Sequence, residues 1–261
     1  MTSPEIVFRI VVALPLGLVF GSFLTVAIHR IPAAESIFRP RSRCPVCGTQ
    51  LRSVDNIPVV SWLLLRGRCH ACGAPISPVY PLTELATGAL FVGVALWFAD
   101  PWQAALLAPF LGLLVAISVI DVRHKRIPNR LVYPSAVAAA LFVVVADLAG
   151  GGLDAATAAV GFLAYGLVLL VIALMAPKGM GMGDVKLAAL IGVVLGSLGL
   201  SFVAVAAGTA VLLGGVGAIV ALLGGASRKT GIPFGPFLAA GAAVATFAAE
   251  PIAEAYLRLV T

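Results

Sequence analysis

Six side chains in this 261-residue sequence stand in patterns that chemistry can use. Four are cysteines: Cys44-Pro-Val-Cys47 and, 21 residues later, Cys69-His-Ala-Cys72. Two C-x-x-C pairs at that distance suit tetrahedral Zn²⁺, each pair supplying two thiolates from one tight turn. Gly48 and Gly73 follow the second cysteine of each pair and permit the φ > 0 backbone that wraps around a metal. The other two are aspartates among apolar neighbours: Asp121, closing Ser118-Val-Ile-Asp121, and Asp184, in Gly181-Met-Gly183-Asp184-Val-Lys186. Two carboxylates about 4 Å apart repel by about 4 kcal/mol at an effective dielectric of 20, enough for the pair to hold a single proton. Such a pair can hydrolyse an amide, because the ionised member activates water while the protonated member polarises the carbonyl. Gly181 and Gly183 remove side chains and helix propensity beside Asp184, so an extended peptide can lie against backbone there.

Composition says what must position these groups. Hydrophobic residues make up 61% of the chain and charged residues only 11%, with a mean hydropathy of +1.10. A compact soluble particle has too little polar surface to cover that much apolar side chain. The 28 glycines and 17 prolines lie among apolar runs, which excludes a disordered chain. The class is an all-α, polytopic membrane protein. A span needs some 17–25 apolar residues. Such stretches fall near Ile6–Ile28, Leu82–Ala99, Gln103–Ile120, Leu131–Asp147, Ala155–Ala176, Val185–Gly199, Ser201–Leu223 and Phe234–Leu257. That predicts about eight transmembrane helices, the sixth and seventh parted only near Gly199. The first stretch has one acid and one base in its leading segment and no small-residue cleavage pattern, so it reads as a retained anchor and not a signal peptide. The organisation expected is a first transmembrane helix over 1–29, a polar tetracysteine loop over 30–81 and a helical membrane domain over 82–261.

Charge sets the orientation. The loops at 29–81, 121–130, 177–184 and 224–233, with Lys186, hold 15 of the 17 Lys and Arg. Only Arg9 and Arg258 lie elsewhere. The alternate connectors carry acids and no base, which places the basic loops and the cysteines in the cytoplasm and both termini outside. The net charge of +6 therefore reports topology and membrane lipid as neighbour, not nucleic acid. It also puts Asp121 and Asp184 at one membrane edge, where charged residues tend to be functional. A reducing cytoplasm disfavours the competing reading of two disulfides. One C-x-x-C pair would suffice for a redox site, and no βαβ pattern surrounds either pair. Four thiolates leave no open position for water, so the zinc is structural, and His70 is a bystander between ligands.

Other readings stay open at this point. Asp121 taken alone can be an interface residue paired with Arg123 or Lys125, and the glycine run a helix break or a packing surface. Lys186 either tunes the acid pair or anchors its helix. Glu84 either contacts substrate or methyl donor or is a carboxylate at a helix N-terminus.

These residues resemble the prepilin peptidase family, intramembrane aspartic proteases with a GxGD motif that mature type IV prepilins and type II secretion pseudopilins. The likeness rests on Gly21-Ser-Phe-Leu-Thr-Val-Ala-Ile-His-Arg-Ile-Pro32, the paired C-x-x-C loop and Asn56-Ile-Pro-Val-Val-Ser-Trp-Leu-Leu-Leu-Arg-Gly-Arg-Cys69. It continues through Tyr80-Pro-Leu-Thr-Glu-Leu85, Asp121 with Ile127-Pro-Asn129, Gly181-Met-Gly-Asp184-Val-Lys-Leu187 and Ile232-Pro-Phe-Gly-Pro-Phe237. The resemblance implies a substrate with a short basic leader, a glycine at the cut and an apolar segment beyond it. It implies Asp121 and Asp184 as the catalytic pair at the cytoplasmic face, with no cofactor needed for cleavage. Many relatives with the tetracysteine loop also N-methylate the new amino terminus from S-adenosylmethionine. Relatives often carry Asn where Thr25 stands and Asp where Asn129 stands, departures that bear on substrate or cofactor contacts and leave the acid pair intact. The rival from another class is a proton- or ion-coupled transporter using the same aspartates. Their placement at one edge, without an internal repeat, argues against it.

Overall fold

A computed structural model describes residues 2–39, 41–175, 180–225 and 231–260. Its helices are α1 (Ser3–Arg30), α2 (Val60–Leu64), α3 (Val79–Trp97), α4 (Pro101–His124), α5 (Asn129–Leu148), α6 (Ala155–Met175), α7 (Met182–Gly196), α8 (Leu200–Leu223) and α9 (Gly235–Val260). A short 3-10 turn covers Ser53–Asn56. No strand occurs among the described residues, only two isolated antiparallel bridges in the tetracysteine loop. Each of the eight apolar stretches forms a helix, and seven of these are long and apolar enough to cross a membrane. The eighth, α7, has 15 residues, about 22 Å at 1.5 Å per residue against a hydrocarbon core of about 30 Å. Its break from α8 falls where the sequence placed it, at Gly199, whose φ of 140° only glycine adopts freely. Lys178, Arg228 and Lys229, three of the bases that set the orientation, lie outside the described residues, as do Ala176 and Gly179.

The chain divides into two compact units, Met1–Ala99 with Leu111–Ala116, and Asp100–Phe110 with Ile117–Thr261. In the first, α1 packs on α3 through Gly17 and Gly21, four residues apart. A Cβ at either would lie 2.8 Å from α3 backbone, at Gly88 and Glu84 respectively. This is the small-residue contact by which helices approach when the solvent is lipid. Arg9, a base within an apolar span, donates to the carbonyls of Ala95 and Phe98 at 2.7 and 2.9 Å. It satisfies the free acceptors at the C-terminal end of α3.

In the second unit α7 is the core. Val185, Leu187, Ala188 and every residue from Leu190 to Gly196 are buried, enclosed by α5, α6, α8 and α9. Gly161 of α6 meets Gly192 backbone to backbone, and a Cβ on Gly161 would stand 2.9 Å from the Cα of Gly196. A helix hydrophobic all round is stable only when surrounded. The packing therefore fixes where Asp184, in its first turn, must sit.

Candidate active site and metal centre

Asp121 lies in the last turn of α4, where Lys125 closes the helix in the left-handed region at φ 51° and donates to the Asp121 carbonyl at 2.7 Å. The Asp121 side chain is buried. Its Oδ2 accepts a 3.0 Å hydrogen bond from the Gly235 N–H, the first residue of α9. Gly235 must be glycine for lack of room: a Cβ there would be 2.7 Å from Asp121 Oδ2 and 3.3 Å from Ile127 Cδ1.

Asp184 is the third residue of α7, and its Oδ2 accepts from the Gly181 N–H at 3.2 Å. The carboxylate thus holds the start of its own helix, as an acid in the first turn does. Gly183, one residue earlier, faces Ile127, whose Cβ would be 2.9 Å from a Cβ at 183. Ile127 therefore lies against both the glycine beside Asp184 and the glycine that caps Asp121. The two acids, 63 positions apart in sequence, are close enough to repel each other electrostatically. Each is held by a helix N-terminus, equivalent to about half a positive charge. Acid, fixed donor and partner acid are what general acid–base hydrolysis requires.

Lys186 extends to Asn129, with Nζ 3.1 Å from its Oδ1, and lies over the Tyr133 ring at 5.2 Å. It joins the start of α7 to the start of α5, a placement that agrees with the anchoring alternative. Gly235 and Ile127 were missed as site residues, although both lie in stretches that carry the family resemblance. The available signal was Gly235-Pro236, a small residue followed by a proline suited to the first turn of a helix.

The four cysteines come together in the other unit. Their sulfurs lie within 4.8 Å of one another, and Cys44 Sγ is 3.9 Å from Cys72 Sγ. Four sulfurs at 2.3 Å from a central Zn²⁺ would be about 3.8 Å apart, so this donor set fits a tetrahedral metal. The two turns share one backbone pattern. Cys44 N–H donates to Thr49 O and Gly48 N–H to Cys44 O, both at 2.9 Å. Cys69 N–H donates to Ala74 O at 2.8 Å and Gly73 N–H to Cys69 O at 2.9 Å. Gly48 and Gly73 both have φ 72°, the conformation their position predicted. Hydrogen bonding with Thr49 lowers the Cys47 thiol to about 6, while burial and the neighbouring sulfurs push Cys72 up to about 11.

His70 is no part of the four-sulfur cluster and pairs with Asp55, Nδ1 to Oδ2 at 3.0 Å. Asp55 is held at about 2, first by its hydrogen bond from Arg52, and ties the 3-10 turn to the second cysteine pair. Glu84 is buried in the second turn of α3. Its Oε2 accepts from the Val59 N–H at 2.7 Å, and the Ser22 hydroxyl also bonds its carboxylate. Both contacts are internal to the chain.

Comparison with known proteins gives this chain its class. The bacterial Peptidase A24 N-terminal domain matches residues 16–98, and the type IV leader peptidase family matches residues 106–248. A prepilin leader peptidase/N-methyltransferase of Stutzerimonas stutzeri is 38% identical over 278 aligned residues, covering 94% of this chain and 93% of its own. Its namesake in Bacillus subtilis (strain 168) is 37% identical over 246, covering 93% and 96%. That of Aeromonas hydrophila is 35% identical over 270, covering 92% and 91%. No solved structure matches. The chain belongs to the type IV leader peptidase family. It is a bacterial multi-pass membrane peptidase, and the transporter reading finds no support.

Proposed function

We propose that this chain is an intramembrane aspartic endopeptidase that removes the basic leader from a type IV prepilin or pseudopilin after a glycine. Cleavage occurs at the cytoplasmic face of the inner membrane, with Asp121 and Asp184 as the catalytic pair. The observation that carries this reading is that Ile127 lies against both Gly183, beside Asp184, and Gly235, which caps Asp121, with each acid fixed by a backbone N–H of a helix start. Each of those hydrogen bonds engages one oxygen, Oδ2, of its carboxylate.

The ionised member takes a proton from the attacking water, and the protonated member gives its proton to the carbonyl oxygen. Collapse of the tetrahedral intermediate breaks the C–N bond, and the new amine leaves with a proton from the pair. The free new terminus is then the amine that an N-methyltransferase modifies, in keeping with the names of the relatives. S-adenosylmethionine supplies the methyl group in such a reaction. Glu84, engaged by Val59 and Ser22, is given no part in that step. The tetracysteine centre holds Zn²⁺ as a structural staple for a loop short of apolar core.

Purified enzyme incubated with a prepilin, with and without S-adenosylmethionine, and weighed by mass spectrometry tests both activities. The expected products are the free leader and a mature chain, heavier by one methyl group only with the donor. An intact prepilin refutes the peptidase assignment, and a mature chain of unchanged mass removes the methylation.

A further inference from the structure

The tetracysteine loop carries a short helix whose depth relative to the membrane can be read from its attachment. Val59, immediately before α2, donates its N–H to Glu84. Glu84 is the sixth residue of the 19-residue α3, a helix of about 29 Å, so it stands about 8 Å in from the end. The same carboxylate is bonded by Ser22, eight residues before the end of α1 and so about 12 Å from it. The tether thus stands within the lengths of α1 and α3, both long and apolar enough to cross a membrane, and not beyond their ends.

The attachment is bought with backbone strain. Val59 adopts φ 63° and ψ −51°, and the Val60 N–H closes a three-residue turn onto Pro58 O at 2.6 Å. That conformation is rare and unfavourable for a β-branched residue. Strain held in place by a buried carboxylate ties the residue before α2 to α3.

What α2 presents at that depth is apolar. Val60, Leu63 and Leu64 share one helical face, and Leu63 and Leu64 are 61% and 79% exposed. Leu82 and Leu85, on the adjoining first turns of α3, are exposed as well. Arg66 and Arg68 follow directly, both exposed and neither ion-paired among the described residues. Residues 30–81 hold seven arginines against two acids. An apolar face bordered by unpaired arginines is the pattern of an element lying in the plane of an anionic membrane surface.

We propose that α2 is such an element. Val60, Leu63 and Leu64 insert among acyl chains beside α3, while Arg66 and Arg68 meet lipid phosphates. The tetracysteine subdomain is then seated on the bilayer and does not stand free in the aqueous phase. This holds whether or not the proposed cleavage chemistry is correct.

Trp62 of α2 is the reporter. With Trp97→Phe and Trp102→Phe it becomes the only tryptophan in the full-length chain. The protein is placed at low density in phosphatidylglycerol–phosphatidylcholine vesicles whose acyl chains are brominated either near the headgroup or near the bilayer centre. Trp62 is expected to lose most of its emission to the shallow bromines and little to the deep ones. Adding Leu63→Gln with Leu64→Gln restores emission while helicity and thermal unfolding stay unchanged. Arg66→Gln with Arg68→Gln weakens the quenching in phosphatidylglycerol and leaves it unaffected by the content of that lipid. The proposal is overturned if Trp62 is untouched by either lipid, or if quenching survives the double leucine change in a folded chain. It is equally overturned if Trp62 is shielded only at high protein density, the sign of a second copy covering α2.

Discussion

The tetracysteine cluster and the acid pair are built in opposite ways. The cluster is made of two local turns with the same hydrogen-bond pattern and the same glycine φ of 72°, so each half is determined within a few residues. The acid pair joins the end of α4, the start of α7 and the start of α9, and no short segment contains it. One site depends on turn chemistry, which folds locally. The other depends on α7 being buried on all sides so that its first turn arrives beside Asp121. Damage should therefore spread differently from each: locally from the cysteines, and through geometry at a distance from the acids.

The largest expected effect is on the acids. Asp121→Asn or Asp184→Asn should each lower the cleavage rate by about 10²–10⁴-fold, the usual contribution of general acid–base catalysis. The amount of folded protein in the membrane should stay the same. Next come the cysteines. Cys44→Ser or Cys69→Ser should abolish bound zinc, measured as metal per chain, and lower the thermal stability of the loop, with prepilin cleavage persisting. Equal metal content in wild type and variant would remove the zinc assignment.

A third contrast tests whether the acid site is positioned by close backbone approach. Gly183→Ala and Gly235→Ala place a methyl group 2.9 Å from Ile127 and 2.7 Å from Asp121. Displacing a catalytic group by ~1 Å can cost about 10²-fold in rate, and losses up to that size are expected, read as kcat/KM. Gly215→Ala, where the added methyl meets open space, should leave the rate unchanged. The smallest effect belongs to the turns. Gly48→Ala and Gly73→Ala should each destabilise the loop by about 1–2 kcal/mol, the cost of a left-handed conformation. The two costs should be equal within error by thermal unfolding, and markedly unequal costs would show that the two turns do not share one geometry.

How far the sequence could be read follows the same division. The cysteine spacing and following glycines foretold the metal turns because a turn is a local object. Apolar length foretold where the eight long helices fall, seven of them long enough to cross a membrane. What stayed hidden was contact. Nothing around Asp121 says that its hydrogen-bond donor is Gly235, 114 positions away. Nothing near Gly183 says that its missing side chain makes room for Ile127. Glu84 looked like a helix-terminal acid and is instead a strut for a strained turn at Val59, since burial and partner depend on α1 packing against α3. The shortness of α7 was readable from Val185–Gly199, a run of 15 residues, but its burial on all sides was not.

The central claim is that Asp121 and Asp184 act as one unit. The measurement that addresses it most directly is a double-mutant cycle on purified enzyme, with kcat/KM for prepilin cleavage determined for wild type, Asp121→Asn, Asp184→Asn and the doubly substituted chain. Groups sharing one step are non-additive, so the double variant should lose no more activity than the worse single one. Losses that multiply, or a single variant with near-normal activity, would contradict it.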